Sequence, residues 1–376
     1  MPTHTAHKKQ YIKFAPRGSS SFYDTLKERV KSYFETNHIH KNANTKMRIK
    51  TCVMIGLYVL PYLFIVSGFA AKSNGLFLLL WTTMGIGIVG IGASIMHDSN
   101  HGAYSTHKGV NLFLGNLLNY IGGYSLNWRI QHNVLHHTYT NLEGLDEDIE
   151  ASKLIRLSPH KKRMGIHKYQ FIYAWFLYAL MNLFWITVKD YRNLIRYHKS
   201  GLLKKEKITL GKALIQLSLL KVFYFSYILV LPILFSGMPW YMVVYGFVIM
   251  HLICGLSLAC IFQPAHVLEH SKFPIANDGK IENNWAVHQM LTTTDFSPKS
   301  HITSWFIGGL NYQIEHHLFP EICHVHYPAI AKIVKQTAQE YGIPYHVIPT
   351  FAGALLAHAK MLKFLGSPKS DNFVTY

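Results

Sequence analysis

Seven histidines fall in three short runs, His97-Asp-Ser-Asn-His101, His132-Asn-Val-Leu-His136-His137 and Gln313-Ile-Glu-His316-His317, all lying just outside long apolar segments. Imidazole is a preferred ligand of zinc, copper, iron and nickel. Residues four apart share one face of a helix, so His97 and His101 can reach one ion, and His132 and His136 repeat the spacing. His137 points about a third of a turn away, toward a second ion, and the doublet His316/His317 presents the same split. The pattern predicts a two-metal site. A histidine-rich surface would explain any one pair, but not three runs that all border the apolar segments.

The elements that must position these runs are membrane helices. Residues 51–71, 76–96, 213–235 and 240–262 each have about the ~20 residues a spanning helix needs. Hydrophobic residues make up 49% of the chain, charged ones 15%, and the mean hydropathy is +0.11. Pro61 and the glycines from Gly85 to Gly92 would weaken a soluble helix but are tolerated in a membrane. A net charge of +18 could indicate a nucleic-acid partner, but its distribution argues otherwise. Of 37 Lys and Arg, 11 lie in residues 1–50, 16 in 97–212 and 8 from 263 onward, leaving Lys72 and Lys221. This is the positive-inside asymmetry, which puts both termini and 97–212 in the cytosol and implies no nucleic acid. Cys52, Cys254, Cys260 and Cys323 form no CxxC, no disulfide framework and no metal set. Without a signal-peptide core, the first span serves as the insertion signal.

Residues 1–20 read as a disordered tail. From Ser21 to Phe34, Phe22, Leu26, Val30 and Tyr33/Phe34 recur at helical spacing, and Ser21 with Asp24 suits a capping box. This predicts an amphipathic helix on the membrane surface. Residues 110–127 carry Asn111, Asn116, Asn119 and Gly122-Gly123, which suit a re-entrant or surface helix. Residues 169–188 are long enough to cross, but eight of the twenty are aromatic, as at a membrane interface. If the histidine runs form one site, the crossings between them must be even in number. The expectation is therefore an all-α protein with four spans, two interfacial helices (110–127 and 169–188) and a cytosolic cap from 97–212 and 263–376. Residues 21–345 form the membrane domain and 346–376 a C-terminal extension.

Two ions at a bilayer imply an apolar substrate. Zinc hydrolysis would need only one ion with three ligands and a water. Oxygen chemistry on an unactivated chain needs a redox metal, and imidazole-bound iron fits. The inferred reaction is O2 activation followed by hydrogen abstraction from an acyl chain.

The order HxxxH, HxxxHH, QxxHH resembles the membrane fatty acid desaturase family. Gln313 at the head of the last box is similar to its front-end branch, which adds a double bond between an existing one and the carboxyl end. So are Asn127-Trp128 and the stretch from Asn284-Trp285-Ala-Val-His288-Gln289 to Trp305-Phe-Ile-Gly-Gly-Leu-Asn-Tyr-Gln-Ile-Glu-His-His-Leu-Phe-Pro320. The resemblance covers about residues 20–345. It implies four spans under a cytosolic cap, two iron ions and a narrow tunnel for an acyl chain, with Δ6 or Δ5 selectivity. The implied ligands are His97, His101, His132, His136, His137, His316 and His317. His266, in Gln263-Pro-Ala-His266, is the implied eighth, with His270 as the alternative. Gln313 either ligates, weakly or through water, or supports a ligand. The implied partners are an acyl-CoA or phospholipid acyl chain, O2, the lipid bilayer, and an external reduced ferredoxin or cytochrome b5 with its NAD(P)H reductase. The 50 residues before the first span are too few for the fused cytochrome b5 of many eukaryotic relatives, and no HPGG occurs. This favours a bacterial inner membrane, with the endoplasmic reticulum expected for a eukaryotic chain.

Asp98 and Glu315, beside His97 and His316, are natural acceptors for a ligating imidazole's other N–H. The acidic run from Glu143 to Glu150 lacks EF-hand spacing and reads as a solvated loop, one carboxylate of which could brace a ligand. Lys221 is expected to snorkel and His251 to be structural. His107, His160, His167, His198, His324, His326, His346 and His358 read as surface, and His288 and His301 take no metal. The competing functions are a membrane hydroxylase or alkane monooxygenase, a lipid-binding relative without activity, and a metal transporter. Transport would place ligands near the midplane, where only His251 lies.

Overall fold

A computed structural model describes residues 12–16, 21–150 and 153–372. Five helices are long and apolar enough to cross a membrane: Thr45–Val66, Asn74–Asn100, Gly165–Lys199, Leu210–Phe235 and Trp240–His266. Leu60, Phe64, Ile172, Phe176, Leu219 and Val222 stand exposed on them, as lipid-facing side chains do. The protein is an integral membrane protein. Polar caps set several starts: Asn44 accepts from Met47 N at 3.2 Å, Ser73 from Leu76 N at 3.4 Å, and Thr209 from Lys212 N at 3.3 Å. The inner pair is Asn74–Asn100 and Trp240–His266, the most buried of the five. Small residues let such helices close in. A Cβ on Gly255 would lie 2.4 Å from the Ala179 carbonyl oxygen.

The 169–188 stretch is longer than expected, because it belongs to the 35-residue helix Gly165–Lys199. Residues 110–127 break into Lys108–Gly115, Leu117–Tyr120 and the start of Ser125–Arg129. Lys221 does not snorkel. It is buried and donates to Gly122 O at 2.6 Å and Asp190 Oδ2 at 2.7 Å. Asn127 Nδ2 donates to the other Asp190 oxygen at 3.1 Å, so this ion pair holds residues 122–127 in place. His251 is held by Asn182 and Tyr224, each at 2.7 Å.

Three expectations for the ends are corrected. The helix Phe22–Thr36 is capped by Ser21, but its apolar face is not free for lipid. Phe22, Leu26 and Val30 pack with Ile330, Val334 and Ala338 of the helix Tyr327–Glu340. In the supposed tail, Lys13–Phe14 pairs in parallel with Lys280–Ile281, while residues 1–11 and 17–20 lie outside the described residues. The C-terminal helix Phe351–Leu365 is part of the body. Its buried His358 bonds Tyr178 OH at 2.9 Å and Val267 O at 3.0 Å. A second parallel pair, Asp295–Phe296 with Val347–Ile348, ties its approach to the third box.

Candidate metal centre

Four separate segments carry the histidines to one place. The Asn74–Asn100 helix widens into a π turn at Ile91–Met96, delivering His97, with His101 just beyond its end. A second π turn, Ile130–His136, carries His132 and His136. His266 is the last residue of Trp240–His266, and the six-residue helix Gln313–Leu318 carries His316 and His317. The loop before that helix presses on the first π turn. Gly308 has φ +66°, and a Cβ there would lie 2.2 Å from Ala93 O. Such wide turns concentrate at functional sites.

The ligand-capable atoms of His97, His101, His132 and His316 lie within 4.8 Å of one another, as do those of His136, His266 and His317, and those of His137, His316 and His317. His132 Nε2 stands 3.1 Å from His97 Nε2 and 3.2 Å from His137 Nε2. The phase within the second box differs from the expected α-helical one. His132 meets His137, five residues on, more closely than His136: ring centroids are 4.7 Å apart against 5.4 Å. The reason is the π turn, whose i to i+5 winding aligns residues five apart. His136 and His132 still come together around Asp148, but His136 also joins His266 and His317. His270 stays outside all these groups. Its Nε2 lies 2.9 Å from Thr294 Oγ1, and its ring lies 4.2 Å from that of His346.

The outer imidazole nitrogens of four of these histidines are held by the protein, while the Nδ1 atoms of His97 and His137 have no hydrogen-bond partner. His136 Nδ1 lies 3.0 and 3.1 Å from the two Asp146 oxygens, and His317 Nδ1 lies 2.8 Å from Gln289 Oε1. His316 Nδ1 is 3.3 Å from Tyr327 OH, and His266 Nδ1 is 3.2 Å from Thr292 O. By contrast, the Nε2 atoms of His101, His136, His316 and His317 are buried without a hydrogen-bond partner, as is Gln313 Oε1. Buried polar atoms are normally satisfied. An imidazole anchored through Nδ1 with a bare, inward Nε2 is the arrangement of a metal ligand, and the donor set suits iron. Burial, with the neighbouring imidazoles, pushes His101, His132, His137, His316 and His317 well down, which keeps them neutral and able to bind a cation. His136 differs. Burial pulls it down, but Asp146 and Asp148 raise it to about 9.

Other site expectations divide. Gln313 Nε2 lies 3.0 Å from His266 Nε2, at the edge of the second group. Asp98 is 3.8 Å from His97 Nδ1, and its closer partner is His324, at 2.8 Å. Glu315 points away from His316, because successive helical residues diverge. It accepts from Tyr345 OH at 3.0 Å, beside Asp295, which takes the same hydroxyl at 2.6 Å. Burial pushes Asp295 up to about 6 and Glu315 well above the carboxylate range. The acidic loop is not solvated throughout, since Asp146 is fully buried and Glu147 binds Tyr197 OH at 2.9 Å. His167, His324, His326 and His358 are buried rather than superficial. His324 bridges Lys50 Nζ at 2.7 Å and Asp98. Sequence reasoning missed Gln289, Thr140, Tyr327 and Thr292 as anchors. Only Gln289 carried a signal, in the stretch beginning Asn284-Trp285.

Trp128 stacks on His132 with centroids 4.4 Å apart. Beside Trp128 and His97 lies a narrow, mostly apolar cavity of about 40 Å³, lined also by Gly92, Trp185, Leu258 and Cys254. Its apolar walls beside His97 match hydrocarbon in chemistry, and its volume takes only a methylene or two.

The fatty acid desaturase family profile matches residues 73–349. The chain belongs to that family. This desaturase is 36% identical over 348 residues to an sn-1 linoleoyl-lipid 6-desaturase of Arthrospira platensis, covering 92% of each chain. It is 38% identical to an acyl-lipid (8-3)-desaturase of Physcomitrium patens, over 96% of this chain and 74% of the relative. An sn-1 linoleoyl-lipid 6-desaturase of Synechocystis sp. is 33% identical, over 94% of this desaturase and 98% of the relative. The desaturase is an oxidoreductase of lipid metabolism that acts on fatty acyl chains and depends on iron.

Proposed function

We propose that this desaturase inserts a cis double bond on the carboxyl side of an existing one, in the acyl chain of a membrane lipid. The observation that carries this reading is the cluster of buried imidazoles, of which His136, His316 and His317 are anchored through Nδ1 with bare Nε2 atoms, and of which His97 lines an apolar cavity. The lipid-linked substrate and the front-end position rest on the names of the relatives, which include linoleoyl-lipid 6-desaturases and (8-3)-desaturases. One O2, two electrons and two protons convert a CH2–CH2 pair into CH=CH and two waters. The electrons come from reduced ferredoxin or cytochrome b5.

Two irons would be held by His97, His101, His132, His136, His137, His266, His316 and His317, and would supply O2 reduction and the oxidising power for hydrogen removal. Asp146 and Gln289 hold the Nδ1 protons of His136 and His317, turning the basic Nε2 atoms inward. Trp128 and Leu258 exclude water and present one stretch of chain to the histidines. The convergence of the boxes supports four crossings. With His97 and His266 brought to one cluster, an even number of crossings between them is consistent with Gly165–Lys199 staying on one side despite its length.

The test is the fatty acid profile of cells expressing the chain with an electron donor and fed linoleate, with double bonds located by mass spectrometry. A new bond on the carboxyl side supports the proposal. Hydroxylated product alone would replace it with a hydroxylase, and His136→Ala or His317→Ala with normal product would remove the metal assignment.

A further inference from the structure

Residues 112–129 wind between two cavities. Leu118, Ile121 and Trp128 face the apolar one beside His97. Asn116, Asn119 and Arg129 face a second, open pocket of about 290 Å³, bounded on its other side by Glu206 and Gln216. Several side chains of the second pocket are donors. Asn116 Oδ1 accepts from Ser125 Oγ at 2.8 Å, Asn119 Oδ1 from Ser125 N at 2.8 Å, and Gln216 Oε1 from Tyr124 OH at 3.0 Å. With each oxygen already accepting one bond, these amides still have their N–H groups to give a ligand. Arg129 adds a guanidinium that makes no hydrogen bond or ion pair among the described residues.

Converging N–H donors around a guanidinium recognise an oxyanion, and the planar fork of arginine matches phosphate. Glu206, the carboxylate among the lining residues, is exposed and attracts Arg129 across the pocket; with a phosphate on Arg129 it would meet the cationic end of a zwitterionic head group. The pocket also lies where lipid-facing surface begins. Gln216 is in the second turn of Leu210–Phe235, next to Ile215 and near Leu219, which are 64% and 65% exposed. Leu112 and Phe113, 60% and 67% exposed, extend that surface on the other side.

We propose that this pocket binds the phosphate ester of the acyl substrate, with a membrane phospholipid as its source. The proposal rests on the desaturase reading above and names the substrate's head group. The phosphate would sit one segment away from the cavity that takes the acyl chain. The phosphates of an acyl-CoA share the chemistry, so the test has an arm for each.

The full-length protein is purified as wild type, Arg129→Gln and Arg129→Lys, with iron content and thermal unfolding recorded for each. Native mass spectrometry counts retained dilinoleoyl-phosphatidylethanolamine, and KM is measured for that lipid and for linoleoyl-CoA. Arg129→Gln is expected to lose the retained lipid and raise its KM by about tenfold or more, the loss of a charge-assisted contact, with iron unchanged. Arg129→Lys recovers part of both. A rise confined to linoleoyl-CoA keeps the phosphate site but makes coenzyme A its source. Unchanged lipid retention and unchanged KM for both substrates in an active variant would overturn the pocket and leave desaturation standing. If the wild type forms no product, the desaturase reading fails, while lipid retention by wild type against Arg129→Gln still decides the pocket. If Arg129→Gln does not fold, Gln216→Leu removes a donor from the opposite wall and is read the same way.

Discussion

His136 and Asp146 stand 3.0 Å apart, Nδ1 to Oδ1, with the second carboxylate oxygen at 3.1 Å. Asp146 also accepts the main-chain N–H of Asn141 at 2.8 Å and of Asp148 at 3.0 Å. The carboxylate is thus fixed by the backbone and in turn fixes the ring. Asp146→Asn is expected to lower iron affinity by about 10- to 100-fold, the usual cost of losing such a partner. Iron per chain, measured after dialysis against graded chelator, checks it.

The same pair sets a pH dependence. His136 is raised to about 9, so its metal-free form carries a proton at neutral pH that must leave when a cation binds. Proton and metal compete, so affinity rises with pH below that value and levels above it. The apoprotein should gain about tenfold in iron affinity per pH unit between about 7 and 9, one proton being released. Anaerobic titrations at several pH values read the slope, and a flat profile would contradict it.

Gln313→His places an imidazole beside His266, where the amide nitrogen now stands at 3.0 Å. Iron is expected to be retained while turnover falls by about tenfold, because an added nitrogen would disturb ligands already oriented. Single-turnover product yield per iron measures this. Wild-type turnover would show that the glutamine has no role at the site.

Gly308→Ala combines a left-handed backbone at φ +66° with a Cβ 2.2 Å from Ala93 O. About 2 kcal/mol or more of destabilisation is expected, together with lost iron, since the clash falls on the turn before His97. Thermal unfolding in detergent reports the first effect and metal analysis the second.

Lys221→Met leaves Asp190 buried without its cation, which typically costs about 3–5 kcal/mol. The double variant Lys221→Met/Asp190→Asn should recover a large part of the loss. A single variant as stable as the wild type would show the pair to be dispensable.

The sequence displayed the histidine runs and all five apolar stretches, that at 169–188 read as interfacial, because both are local patterns. Spacing alone could not show the π turns, which pair His132 with His137 rather than with the residue four away. Nor could it show which polar residues would be covered. His358 is buried by Tyr178 and Val267, and His324 by Lys50 and Asp98, all far away in the chain. The amphipathic stripe of Phe22, Leu26 and Val30 was visible, but a protein helix and a lipid surface present the same demand to such a stripe. Gln289 reaches both His317 and the carbonyl of His137, a role set by tertiary contact alone.

The helix Gln313–Leu318 contributes His316 to one group of imidazoles and His317 to the other, and both to the group that contains His137. Six residues would therefore form a common wall between the two ion sites proposed above. An ion seated on either side would stiffen the wall for its neighbour, so filling should proceed in pairs. Chains carrying a single ion should be scarce at every stage of a titration, and sparing iron would leave some molecules complete and others empty.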